Sequence, residues 1–400
     1  MTFLDKVTTD AIRRVQSSIE AASGMPNAAY TDQALFEFER DVLISRTWAG
    51  LEHVSELQQP GYAVPIDFMG LPLVLVRDHD DTISVFHNVC SHRGFVLVQE
   101  PGPVKKLLRC PYHSWSYNLQ GALKSTPHIG GVGCNKVEGF DCDALGLKPV
   151  RSAIWMGIVF INLSGDAEPF DDFIDPLRSR WDQLTGPGQL DQLAHAAHSQ
   201  LTIDIQANWK LAIENYCEAY HLPWVHPDLN SYSPLEEHVN LHINDYMSGQ
   251  GTLNYTLSQV AGTTLPTFDQ WPDDKRSEGE YISLYPNLML GVQVDHAFAI
   301  ILHPIAPNRT LEKLQISYVN ELATQDEYEA CRAATVQSWK TVFEEDIFAV
   351  EGMQRGRQSP GFTGGVFSPV MDLPSHDFHK WVARGYERGL QQLASNNDSV

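Results

Sequence analysis

CSHRGFVLVQEPGPVKKLLRCPYH, residues 90–113, holds two short ligand pairs, Cys90-x-His92 and Cys110-x-x-His113, with residues 93–109 between them. Two loops of this kind can pinch one metal centre. A structural zinc accepts the same four residue types. Zinc fingers, however, more often place both cysteines on one element and both histidines on another. One Cys and one His per loop suits a [2Fe–2S] cluster with thiolates on one iron and imidazoles on the other. Imidazole in place of thiolate removes negative charge from that iron and raises its potential.

Around this stretch the chain reads as short β runs punctuated by Gly and Pro. They span Tyr62 to Ile66, Leu71 to Arg77, Thr82 to Asn88, Lys106 to Arg109, Ser114 to Tyr117 and Ile158 to Leu163. Farther out the pattern changes. Residues 1–45 read as an N-terminal helical segment that packs on the larger domain. Beyond residue 165, strands over Leu201 to Ile205, Ala297 to Leu302 and Leu314 to Val319 mix with helices over Trp209 to His221 and Gln325 to Gln354. The expected fold class is α+β. An antiparallel β domain over 46–164 would hold the first metal centre, and a domain over 165–400 would carry a central antiparallel sheet flanked by helices. The chain has 400 residues, more than one core normally serves, which agrees with two domains.

Twenty-eight Lys+Arg stand against 50 Asp+Glu, a net charge of −22. Nucleic acid is excluded as an expected partner, because phosphate binding needs concentrated positive charge. The same balance argues against an anionic membrane surface. The opening MTFLDKVTTDAIRRVQSSIE lacks the apolar centre of a signal peptide, and the longest apolar run, Ile154 to Leu163, is too short to span a bilayer. A soluble, cytoplasmic protein is expected. Such a chain needs no disulfide framework, so Cys134 and Cys142 read as ordinary thiols.

A second cluster lies in NWKLAIENYCEAYHLPWVHP, residues 208–227. On a helix, Glu214, Glu218 and His221 share a face. Pro223 breaks that helix, and His226 returns on a turn. Two imidazoles so placed can hold a metal, although paired histidines at a helix end are more often structural. A carboxylate can be sought on the long C-terminal helix, where Trp339, Val342, Phe343, Ala349, Val350 and Met353 make an apolar stripe with Asp346 at its centre. Glu344, Glu345 and Glu351 point elsewhere. A carboxylate on a buried face must be paired or metal-bound, so Asp346 is either a third ligand or the partner of an internal Arg or backbone amide. Two His and one carboxylate leave open positions on Fe(II), the usual site of O₂ activation.

FHNVCSHRG followed by CPYHSWSYNLQGAL resembles the Rieske domain of the Rieske non-haem iron oxygenases, the ring-hydroxylating α subunits. NWK…ENY.EAYH….H and EEDIFAVEGMQRGRQSP are similar to the segments that hold their mononuclear iron, so the likeness runs from about Phe36 to Val382. It implies an O₂-dependent oxidoreductase, a mono- or dioxygenase. Cys90, His92, Cys110 and His113 would bind a Rieske [2Fe–2S] cluster, and His221, His226 and Asp346 a mononuclear Fe(II). It also implies a separate flavin or iron–sulfur reductase drawing on NAD(P)H, and a homotrimer or a hexamer of two trimers. Glu218 would bridge one subunit's cluster to its neighbour's iron. The family usually has Asp there; Glu looks like the carnitine and glycine-betaine oxygenases. YPNLML, residues 285–290, resembles the choline monooxygenases.

Tyr216, Tyr285, Met289 and His296 are the leading candidates for the substrate pocket, with Tyr232, Tyr246, Tyr281, Leu288, Val294 and Phe298 beside them. An aromatic cage suits a quaternary ammonium through cation–π attraction; the same residues suit an aromatic compound or aromatic acid. His296, next to Asp295, could bond a substrate carboxylate or cap a strand edge. A Rieske-type electron carrier and a zinc-binding structural protein are the readings without catalysis.

Overall fold

The computed structural model describes residues 6–397, which divide into two compact units: Leu51–Gly165, and the residues up to Gly50 together with those from Asp166 onward. In the first unit the strands are β1 (Ala49–His53), β2 (Tyr62–Phe68), β3 (Leu71–Arg77), β4 (Ile83–His87), β5 (Gly102–Pro103), β6 (Leu108–Arg109), β7 (Ser116–Tyr117), β8 (Leu123–Ser125), β9 (Pro149–Trp155) and β10 (Ile158–Asn162). They form one sheet in the order β1-β10-β9-β4-β3-β2-β5 and a small one in the order β6-β7-β8. Met69-Gly70 joins β2 to β3, and Met156-Gly157 joins β9 to β10. Both residues of each turn have positive φ, the two-residue hairpin geometry that matches strand twist and favours Gly. The core of this unit gathers Val74, Phe86, Trp115, Tyr117 and Leu123 around the buried Cys90 and Cys110.

The second unit is built on a seven-stranded antiparallel sheet. Its strands are β11 (Gln200–Ile205), β12 (His238–Asn244), β13 (Met247–Thr252), β16 (Gly279–Leu284), β17 (Leu288–Val292), β18 (His296–Ala306) and β19 (Arg309–Tyr318), with β14 (Gln259–Val260) and β15 (Thr263–Thr264) as a separate ribbon. The sheet order is β11-β19-β18-β17-β16-β13-β12. Helix Trp209–Tyr216 packs against β16, β17 and β18, and against helices Glu329–Gly356 and Leu373–Asn397. That placement brings residues 215–226 next to Asp346.

Helix Trp209–Tyr216 stops five residues short of the expected end at His221. The side chain of Glu218 accepts from the backbone N–H groups of Tyr220 and His221, which caps a new turn and competes with the helix. Glu214 therefore does not share a face with His221. It is buried against Tyr30, Arg357 and His379, and those partners outweigh burial and hold its carboxyl down at about 2.

The first turn of the same helix anchors the unit. Lys210 Nζ bonds Glu39 at 2.6 and 2.7 Å, Tyr386 Oη donates to Glu39 at 2.6 Å, and both charged side chains are fully buried. Lys210→Met is expected to lower stability by ~3–5 kcal/mol, because it leaves the Glu39 carboxylate buried and unpaired. Adding Glu39→Gln should recover most of the loss. Chemical denaturation measures both, and equal midpoints for the single variant and the wild type would disprove the account. Among the described residues, no helix is long and apolar enough to cross a membrane.

Candidate metal centres

The two loops that carry Cys90 and Cys110 close in the same way. Gly94 N donates to Cys90 O and Cys90 N to Phe95 O, at 2.9 Å each. Ser114 N donates to Cys110 O at 3.0 Å, and Cys110 N to Trp115 O at 2.8 Å. The fourth residue after each Cys has positive φ, 71° at Gly94 and 62° at Ser114. This repeat turns the two loops toward each other. The rings of His92 and His113 lie 4.6 Å apart, and Trp115 stacks on His92 at 4.7 Å. Both thiols are free and buried. The Nδ1 atoms of His92 and His113 are buried without a hydrogen-bond partner. Buried nitrogens are rarely left so, and two of them beside two free thiols make a donor set that fits a [2Fe–2S] cluster. Tyr117 Oη lies 3.2 Å from Cys90 Sγ, within hydrogen-bonding reach of the sulfur.

In the second unit, HLPWVHP forms one helical turn, Leu222–Val225, with Pro223 in its first turn and Pro227 opening the next helix. The rings of His221 and His226 come within 5.1 Å of each other at its two ends. Asp346, from helix Glu329–Gly356, places Oδ1 3.0 Å from His226 Nε2 and 3.6 Å from His221 Nε2. One donor atom from each of the three lies within 4.8 Å of the others. Asn215 Nδ2 donates to the same Oδ1 at 2.7 Å. Among the described residues, no arginine or backbone amide bonds Asp346.

The far side of each imidazole meets a carboxylate. Glu218 Oε1 is 2.7 Å from His221 Nδ1, and Glu345 Oε2 is 2.8 Å from His226 Nδ1. A neutral imidazole has one N–H. With Nδ1 donating outward, each ring turns an Nε2 lone pair toward Asp346, the arrangement that orients metal-bound histidines. Burial alone would lower both histidine pKa values, yet the adjoining carboxylates outweigh it and raise them. The donor set fits a divalent iron. Glu345 corrects the sequence reading, which sent it away from the site. Glu345→Gln should weaken iron retention against a chelator by ~10–100-fold, the usual cost of losing such support. Unchanged retention would mean that Glu345 is only a surface acid.

Next to these ligands lies a narrow chamber of ≈ 50 Å³, lined also by Asn215, Tyr216, Gln250 and Phe343. A wider one of ≈ 260 Å³ shares Leu229, Ser233, Tyr281, Trp339 and Val342 with it and adds Tyr232 and Tyr255. Of the expected pocket residues, Tyr216, Tyr232 and Tyr281 line these chambers. Tyr285 does not: its hydroxyl bonds Ser248, and its ring packs on Phe378 and Trp381. Met289 is buried within β17, away from both linings. His296 is fully buried, with its ring nitrogens engaged by Asp295 and Trp339, and it lines neither chamber. Trp339 was legible only as core, and Tyr255 carried no signal.

Residues 47–136 match the Rieske [2Fe-2S] domain family, and residues 191–388 match the ring hydroxylating alpha subunit (catalytic domain) family. The carnitine monooxygenase oxygenase subunit of Escherichia coli (strain K12) is 29% identical, over 85% of this chain and 86% of that one. The glycine betaine monooxygenase oxygenase subunit of Chromohalobacter salexigens is 28% identical, over 94% and 88%. A crystal structure of a quaternary ammonium Rieske monooxygenase in complex with the substrate L-carnitine superposes with a TM-score of 0.74 at 26% identity, covering 96% of this chain and 99% of that one.

Proposed function

From the premise that this chain belongs to the Rieske non-haem iron oxygenases, an oxidoreductase family, we propose that its substrate is a small quaternary-ammonium compound of the betaine, choline or carnitine kind. The chain acts as terminal oxygenase, hydroxylating or N-demethylating that compound with O₂ and electrons from NAD(P)H, delivered by a separate reductase. When bound, the cluster supplies single electrons and Fe(II) supplies O₂ activation at its open positions. The chain's own side chains do the rest. Glu218 and Glu345 hold the Nδ1 protons of His221 and His226 and so fix both rings. Uncharged Ser233, Gln250 and Thr252 on the chamber walls can bond a substrate hydroxyl or carboxylate. The observation that carries the reading is the aromatic wall of Tyr216, Tyr281 and Trp339 beside the three ligands, since aromatic faces attract an ammonium group.

Leu229, Val342 and Phe343 in the same walls favour a second reading, an aromatic compound or aromatic acid as substrate. One panel separates the two. With a reductase, NADH and O₂, choline, glycine betaine and carnitine are tested beside benzoate and naphthalene. Coupled consumption of NADH and O₂ with formation of a hydroxylated or aldehyde product from a quaternary-ammonium compound, with or without release of an amine, supports the first reading. Coupled turnover of an aromatic compound alone overturns it.

The proposed assembly is a homotrimer, single or paired, in which Glu218 of one chain faces the cluster histidines of the next. Such an assembly would cover large aromatic side chains that this chain leaves exposed beside both sets of ligands. Trp224 is 72% exposed and Phe348 79% near the iron ligands, and Tyr112 is 54% exposed beside His113.

A further inference from the structure

The hairpin between β17 and β18 carries Asp295 at its tip, and the residue is fully buried. Hairpin tips normally face water, and a carboxylate is among the costliest groups to bury. The proton positions around it follow from chemistry. Trp339 Nε1 can only donate, and it lies 2.7 Å from His296 Nε2. His296 therefore carries its proton on Nδ1 and gives it to Asp295 Oδ1 at 2.8 Å. Tyr255 Oη donates to the same oxygen at 3.0 Å. In this arrangement His296 is neutral and brings no positive charge. Among the described residues it is the only basic side chain within ion-pair distance of Asp295. The other oxygen, Oδ2, is buried with no hydrogen-bond partner.

Two aromatic walls of the wider chamber, Tyr255 and Trp339, are thus tied to one buried carboxylate whose charge nothing in the network cancels. Trp339 is held rigid as well, stacked on Phe343 and tilted against Phe298 at 4.5 Å. A ring that donates its polar hydrogen gains electron density, and an electron-richer face holds a cation more strongly. The field of Asp295 adds to this, with little water between to screen it.

We propose that Asp295 is a positioning and specificity-determining residue: through Tyr255 and Trp339 it makes the chamber prefer a positively charged headgroup over a neutral group of the same shape. This rests on the quaternary-ammonium reading and sharpens it, because shape alone would not separate a trimethylammonium group from a tert-butyl group. A buried charge that only shapes the hairpin would make no such distinction.

The test compares two isosteric pairs, each a cation with a neutral molecule: choline with 3,3-dimethylbutan-1-ol, and glycine betaine amide with 3,3-dimethylbutanamide. Binding is measured by calorimetry on the full-length holoenzyme, wild type and Asp295→Asn. The wild type should favour the cationic member of at least one pair. Asp295→Asn should weaken that member by about tenfold and change its neutral partner by less than about twofold. Visible absorption and melting temperature check that the variant is folded. Tyr255→Phe keeps the ring and removes the hydroxyl that ties it to Asp295. It should move the cation-to-neutral ratio away from the cation, by about twofold, and it serves where Asp295→Asn yields no folded protein. A wild type with no cationic preference in either pair overturns the substrate reading and this inference together. A wild type that has the preference while Asp295→Asn keeps it, or loses both members equally, overturns the role of Asp295 alone. With Tyr255→Phe, a ratio that stays or rises does the same.

Discussion

Purified Asp346→Ala is expected to keep the visible absorption of its Rieske cluster and to lose turnover altogether. Asp346 bonds Asn215 and His226 and lies 3.6 Å from His221, all within the unit that lacks the cluster ligands. Removing its carboxylate leaves two imidazoles to hold a divalent cation, with no anionic ligand to offset the charge. Iron analysis should find one iron fewer per chain with sulfide unchanged. NADH and O₂ consumption in the presence of reductase and substrate should fall to background. Fold disruption is not expected, because Asp346 stays partly exposed and its loss empties no core. A variant that loses the visible spectrum as well would show Asp346 supporting the fold or the cluster. Persistent turnover would remove it from the ligand set.

The parts of the two sites that could be read from the chain are those whose geometry is local. Cys90 with His92 and Cys110 with His113 each sit within a single turn, so spacing alone placed them. Asp346 was found because one long helix keeps its period from Trp339 to Met353. The same arithmetic failed for Glu345, since a flexible carboxylate reaches the far nitrogen of a ring whose near nitrogen faces the adjacent residue. It failed for Glu214 because the helix ended early, at a cap made by Glu218. The central strands were hidden for another reason. Met247–Thr252 is buried along its whole length and shows no alternation, and Gly249 admits no side chain, because a Cβ there would meet the Tyr281 carbonyl at 2.0 Å. The chamber walls come from residues far apart in sequence, so no window of the chain could assemble them.

Glu218→Gln carries the largest expected kinetic effect that leaves both metals bound. Glu218 Oε1 holds His221 Nδ1 at 2.7 Å, and Oε2 caps the turn through the N–H groups of Tyr220 and His221. Gln keeps the length and one acceptor oxygen but loses the charge and puts an NH₂ where the second acceptor stood. The ring of His221 then loses an anionic partner that strengthens its hold on iron and, on the trimer reading, the carboxylate joining it to the neighbouring cluster. Iron and sulfide content should match the wild type, and the cluster should still be reduced by the reductase. Its reoxidation with substrate and O₂ should slow by at least an order of magnitude, within the ~10–100-fold usual for partners of metal-bound imidazoles. Glu218→Asp loses reach but not chemistry and should be milder. Stopped-flow absorption at the cluster bands separates reduction from reoxidation. If Glu218→Gln reoxidises at the wild-type rate, the residue lies outside the electron path, and the proposal that it links two subunits loses its chemical basis.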